Sequence, residues 1–206
     1  MIKLAFIILA LLGTAQAQQV RIVVLPGEGA LTTEQRAEVI ERARVKYQAA
    51  GLRVAATKIL FRSSDPCEEQ RERGRFPSQF TCYERLGLSL KRFRYGPTLI
   101  LSAPMRGGGE RWLGGVARRD CFSRHISRRV SWAAATGSKV TREDRREMSA
   151  VLVAHETAHN LGAAHYDGRP NIMHSTALVF VGQGLGFLQQ SADEMRSCPV
   201  EGAFRS

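Results

Sequence analysis

The stretch His155-Glu156-Thr157-Ala158-His159-Asn160-Leu161-Gly162-Ala163-Ala164-His165 restricts what this chain can fold into more than any other feature. Histidines four apart stand one above the other on a helix face, so two imidazoles can reach one ion without backbone strain. Glu156 is offset from His155 by about 100° around the helix axis. It cannot share the position of the histidines but can reach a water on the metal, which makes it a base and not a ligand. A third neutral nitrogen has to come from outside the helix, because another turn would carry the chain past the ion. Gly162 supplies the reversal: the residue after a helix C-terminus commonly takes a left-handed conformation, which glycine enters without a Cβ penalty, and the turn swings His165 back. Three histidines leave the fourth tetrahedral position for water, as in a catalytic and not a structural zinc site, and water held there ionises near neutral pH. One catalytic Zn2+ is therefore expected on His155, His159 and His165, with Glu156 as the catalytic general base. Five fixed positions of this kind arise by chance in a chain this long with odds on the order of one in 10⁵.

The helix that carries the motif is the most periodic in the chain. Met148, Val151, Leu152, His155 and His159 form one stripe at three- and four-residue spacings, Thr141 with Asp144 resembles a capping box at its start, and Gly162 ends it. Upstream, Val20 to Leu25 is an apolar, β-branched run that ends at Pro26-Gly27 and predicts a first strand. Thr32 or Thr33 caps a helix through Ala50, with Val39, Ile40, Ala43 and Tyr47 on one face and Gly51 as its stop. Leu52 to Phe61 predicts a second strand, and the β-α-β order suggests a parallel pair.

Residues 62–94 are polar, hold Cys67 and Cys82, and read as a long surface excursion stapled by a disulfide. Thr98 to Ser102 predicts a short buried strand, Gly107-Gly108-Gly109 a flexible connection, and Trp112 to Cys121 and Arg128 to Ala134 two more strands of a mixed sheet. Ser191 with Glu194 three residues on signals a short C-terminal helix that Pro199 ends. Gly182-Gln183-Gly184-Leu185-Gly186 lacks the flanking strand and helix of a phosphate loop, so no nucleotide is expected there.

Lys3, the apolar run Leu4 to Leu12 and Ala15-Gln16-Ala17 have the layout of a secretory signal peptide over residues 1–17. That run is too short to span a bilayer, and no other stretch is long and uncharged enough to try. Residues 18–206 are then expected to form a single, monomeric catalytic domain in a secreted or periplasmic location. Four cysteines in an oxidising compartment favour two disulfides, with three pairings open, and no C-x-x-C spacing supports a cysteine zinc site. The formal net charge of +11, with pairs at Arg118-Arg119, Arg128-Arg129 and Arg145-Arg146, makes a solvated basic face that could also attract an anionic partner. The aromatics are few and not interleaved with the charge as a nucleic-acid stacking platform would require.

The pattern HExxHxxGxxH followed downstream by a methionine turn resembles the metzincin zinc peptidases. Asn171-Ile172-Met173 stands where that turn falls, and the resemblance implies that Met173 lies beneath the three histidines as a hydrophobic base, not as a ligand. Within that family the chain is most similar to the adamalysin-like (reprolysin) group, on Trp112-Leu113-Gly114-Gly115-Val116-Ala117 followed by Cys121. That likeness implies a Cys121 to Cys198 bridge and leaves Cys67 to Cys82 as the second. It also implies Asp directly after the third histidine, whereas here Tyr166 intervenes before Asp167; Ser175 occupies the place of the zinc-ligating tyrosine of astacin-like members. His125 and His174 are expected to be ordinary polar residues.

An α/β, metzincin-like zincin domain follows, with a mixed twisted sheet, an antiparallel edge strand near Leu113 to Ala117 roofing a cleft, a zinc-binding helix as its floor and a C-terminal helix. The expected activity is that of a secreted zinc-dependent endopeptidase acting on protein or peptide laid along the edge strand. The alternative is a basic, zinc-stabilised binding or toxin-like module without proteolytic activity. Intact Glu156 argues against it, since a structural zinc needs no base.

Overall fold

The computed structural model describes residues 18–26, 31–69, 81–83, 85–86, 98–102, 115–117, 130–134 and 142–198. The signal-peptide segment, the triglycine, Cys121, His125, Thr141 and Pro199 lie outside the described residues.

Alternating side chains decide how β1 (Gln18–Val24) sits. Val20, Ile22 and Val24 enter one apolar cluster, while Val23 and the following Leu25 enter a second on the opposite face. A strand buried on both faces belongs inside a sheet. Accordingly β2 (Val54–Phe61) pairs with it in parallel on one side and β3 (Thr98–Ser102) in parallel on the other. β5 (Val130–Ala134) continues the parallel set beside β3, and β4 (Gly115–Ala117) closes the order β2-β1-β3-β5-β4. Its register, Gly115 with Ala133 and Ala117 with Ser131, runs antiparallel to β5. The remainder of the strand expected over Trp112 to Cys121 lies outside the described residues.

Helices cover the first face. α1 (Thr33–Ala49) starts at Thr32, whose Oγ1 accepts from Gln35 N–H at 3.3 Å while the Gln35 side chain accepts from Thr32 N–H at 2.9 Å. It turns Val39, Ala43 and Tyr47 into the core and gives way to Gly51 at φ +69°. α2 (Arg142–Asn160) packs between α1 and strands β3, β5 and β4. Tyr47 ties the two helices by donating to the Ala154 carbonyl at 2.7 Å, and Glu147 joins Arg42 and Lys46 across them. The sequence predicts one apolar stripe on α2, yet every residue from Ser149 to Leu161 is buried. From Ser149 onward the helix is buried on every face, so polar residues expected on its outer face are interior there.

On the other face, the described residues of the excursion after β2 pack against the sheet. Cys67 and Cys82 are bridged, with Cα atoms 5.8 Å apart, and Cys67 and Tyr83 pack on Val23, Leu25 and Ile100. Asp65 organises this corner by accepting from Cys67 N–H at 2.8 Å and Tyr83 Oη–H at 3.1 Å. Arg21, buried in β1, donates to Thr98 Oγ1 on the neighbouring strand at 2.6 and 3.0 Å.

The last helix differs from expectation. α3 (Gln189–Arg196) begins after Leu188, whose carbonyl accepts from Ala192 N–H, so Ser191 lies inside the first turn instead of capping it. The Glu194 carboxylate, expected to complete the capping box, accepts instead from Ala164 N–H at 2.9 Å. Among the described residues no helix is long and apolar enough to cross a membrane.

Candidate metal centre

The end of α2 determines where the third histidine goes. Gly162 N–H donates to the His159 carbonyl and Ala163 N–H to the Ala158 carbonyl, the paired bonds of a Schellman ending, with Gly162 at φ +100°. The chain leaves the helix axis there, and Glu194 of α3 fastens the returning segment at Ala164.

His155, His159 and His165 are brought together by this turn. Their Nε2 atoms form a near-equilateral triangle with edges of 3.1, 3.1 and 3.0 Å. Nitrogens bound at about 2.0–2.1 Å to one tetrahedral ion stand about 3.3–3.4 Å apart. The spacing is that of ligands to a single ion, drawn in by a few tenths of an ångström. The remaining ring nitrogens settle the tautomers: His155 Nδ1 lies 2.6 Å from the Ile172 carbonyl and His159 Nδ1 lies 2.8 Å from the Ala163 carbonyl. A carbonyl can only accept, so both Nδ1 atoms carry the proton and both Nε2 lone pairs face the centre of the triangle. Two such lone pairs, converging with the His165 Nε2 atom, suit a cation. Among the described residues no other three His, Cys, Asp or Glu side chains are placed to share a metal.

Burial sets the protonation states. Desolvation, reinforced by neighbouring His159, pushes the His155 imidazole from 6.5 down to about 4, so it is the neutral ligand form at physiological pH. Desolvation pushes the Glu156 carboxyl well above the usual range. The triangle and Glu156 line a cleft of about 460 Å³ together with Gly115 and Ala117 of β4 and the run from His174 to Val179. The end of that run belongs to a 3-10 turn, Ala177–Phe180.

The methionine-turn segment acts through its backbone as well as its side chain. Met173 is fully buried in the core shared with α2, while the preceding residue, Ile172, supplies the carbonyl that orients His155. Asn171 shapes the turn, donating to the Tyr166 and Arg169 carbonyls and accepting from Met173 N–H at 2.7 Å.

A crystal structure of archaemetzincin from Methanopyrus kandleri matches at TM-score 0.60 and 16% identity, covering 89% of this chain and 96% of its own. A zinc-dependent peptidase from Methanocorpusculum labreanum matches at 0.53 and 11%, covering 85% of this chain and 99% of that one. Metalloproteinase-II from Bacteroides fragilis matches at 0.54 and 13%, covering 90% of this chain and 54% of that one. These likenesses establish the fold. No protein-family model and no curated protein matches the sequence.

The adamalysin-like assignment gains no support from these structures. Its basis is Trp112 to Cys121, of which only Gly115–Ala117 is described, whereas the histidine pattern is common to metzincins at large. The expected partner Cys198 is buried beyond α3, and the bridge to Cys121 lies outside the described residues. Ile172, Ala163, Asn171 and Glu194 are not legible in the sequence as site residues, because all four act through backbone carbonyls or on backbone groups of the return loop. His174, expected to be an ordinary polar residue, lines the cleft.

Proposed function

We propose that this chain is a secreted zinc-dependent endopeptidase, with one zinc on His155, His159 and His165 and Glu156 as general base. The single observation that carries this reading is the triangle of Nε2 atoms in a cleft that also holds a buried carboxyl. The fold shared with an archaemetzincin and a zinc-dependent peptidase supports it. The signal-like residues 1–17 and the order of elements along the chain fit a single exported catalytic domain, and the basic composition would suit an anionic partner.

Zinc held there would supply a Lewis acid for the scissile carbonyl and lower the pKa of water. The protein's own groups do the rest. Glu156, raised in proton affinity by its burial, accepts the proton of the attacking water and returns it to the leaving nitrogen. β4, at the sheet edge, offers main-chain groups against which an extended peptide can pair, and Gly115 and Ala117 keep that side of the cleft narrow in side-chain bulk.

The test is to express the exported protein, measure its metal by elemental analysis, and offer denatured protein and a peptide library. About one zinc per chain with internal cleavage that a chelator abolishes is the expected result. Bound zinc without cleavage of any substrate would point to the zinc-stabilised binding module instead.

A further inference from the structure

The lining of the cleft includes three consecutive polar residues, His174, Ser175 and Thr176. Two of them are spent inside the protein. Ser175 gives its N–H to Asp167 Oδ1 at 2.7 Å, and its hydroxyl bonds the same carboxylate. Thr176 turns both its N–H, at 3.1 Å, and its hydroxyl, at 3.0 Å, on His174 Nδ1. A backbone N–H can only donate, so Nδ1 of His174 is an acceptor and the ring proton sits on Nε2. Asp167 Oδ1, 3.5 Å from Nδ1, is already held by Ser175.

Among the described residues none accepts from His174 Nε2–H, although the ring is only 14% exposed. The ring is also held in place. Phe180 meets it edge-on with centroids 4.8 Å apart, and its backbone is fixed at both ends by His174 N–H to Asn171 and Ala177 N–H to His174. The Asn171 side chain reaches back to the Tyr166 carbonyl, next to the third histidine of the triangle. A donor with its tautomer set, its plane braced and its proton unclaimed, in the same cleft as the histidines and Glu156, is built for an acceptor that arrives from outside.

On the zinc-peptidase reading, we propose that His174 is a catalytic residue whose Nε2–H donates to the oxygen of the scissile carbonyl as that oxygen gains negative charge. No proton is transferred; the group acts as a fixed dipole where charge develops. Its value is greatest in the transition state, so it acts on kcat more than on substrate binding.

Three variants separate this from a packing role. His174→Phe keeps the ring against Phe180 without a donor, His174→Asn places an amide only at the Nδ1 position, and His174→Gln carries a donor to the Nε2 position. In zinc-loaded protein, kcat should fall roughly 10²-fold in the Phe and Asn variants with KM changed less than about threefold. His174→Gln should recover about tenfold of the loss, and affinity for a phosphinic peptide should track kcat/KM across all forms. Equal activity of the Gln and Asn variants, or a loss confined to KM, would overturn the proposal even if the Phe variant does not fold. Wild-type protein that holds zinc yet neither cleaves peptides nor binds the phosphinic peptide would instead overturn the peptidase reading, and this proposal with it.

Discussion

Glu156 and His155 are neighbours in α2, both buried, and burial drives each towards its neutral form. For the histidine that means a lone pair ready for a cation; for the glutamate it means a carboxyl reluctant to ionise until a positive charge is nearby. Glu156→Gln keeps the size and helix position and removes the proposed base. In zinc-loaded protein it should leave metal content and thermal stability near wild type while proteolysis falls by a factor of roughly 10² or more. Undiminished cleavage would assign the base elsewhere. The same variant behaves differently without metal. A folded-state pKa raised above the unfolded 4.5 gives stability that is complete below 4.5 and lost as pH rises towards the folded value. Metal-free wild type should therefore lose stability relative to metal-free Glu156→Gln as pH rises from 4.5 to 7, which denaturant titrations at several pH values would show. A constant difference would mean that Glu156 is not buried in the folded apo-protein. The placement of both residues in one cleft is legible in the sequence because helix geometry alone sets it. His174 is not, since a lone histidine carries no signal until a chain reversal brings it to the cleft.

At the scale of the element, legibility depends on whether the deciding contact is local. The start of α1 is a local matter, and Thr32 marks it; Gly162 is local too, and its positive φ follows from the need to return His165. Where tertiary contacts compete, local signals mislead. Ser191 with Glu194 resembles a cap, but Glu194 is engaged by Ala164 N–H thirty residues earlier in the chain. The stripe on α2 likewise foretells one buried face, and only packing by α1, the sheet and the methionine-turn segment encloses the rest. Gly162→Val places a β-branched residue at φ +100°, where L side chains are strained. It should lose zinc affinity at least tenfold although it touches neither metal nor substrate, while far-ultraviolet circular dichroism stays near wild type. Unaltered zinc affinity would show that His165 returns by another route.

At the scale of the whole molecule, the sheet has two covered faces of different kinds, and this order is only partly readable. A β-α-β pattern predicts the parallel β1 and β2, but it cannot show that β3 inserts on the far side of β1, a long-range choice made by apolar runs that look alike in sequence. One face is held by α1 and α2 and carries the histidines. The other is held by the excursion closed by Cys67 and Cys82, whose cluster with Tyr83, Val23, Leu25 and Ile100 is separate from the helical core. A cross-link over a sequence separation of 15 residues stabilises mainly by restricting the unfolded chain, by about 3 kcal/mol. Replacing both cysteines by alanine should lower the unfolding free energy in urea by about that amount. Because the bridge lies across the sheet from α2, the zinc affinity of the fraction that remains folded should match wild type. Calorimetric zinc titration at low temperature, where the variant is folded, measures this directly. A parallel loss of zinc affinity would mean that the excursion holds the strands in the register on which the cleft depends, and that the two faces act as one cooperative unit.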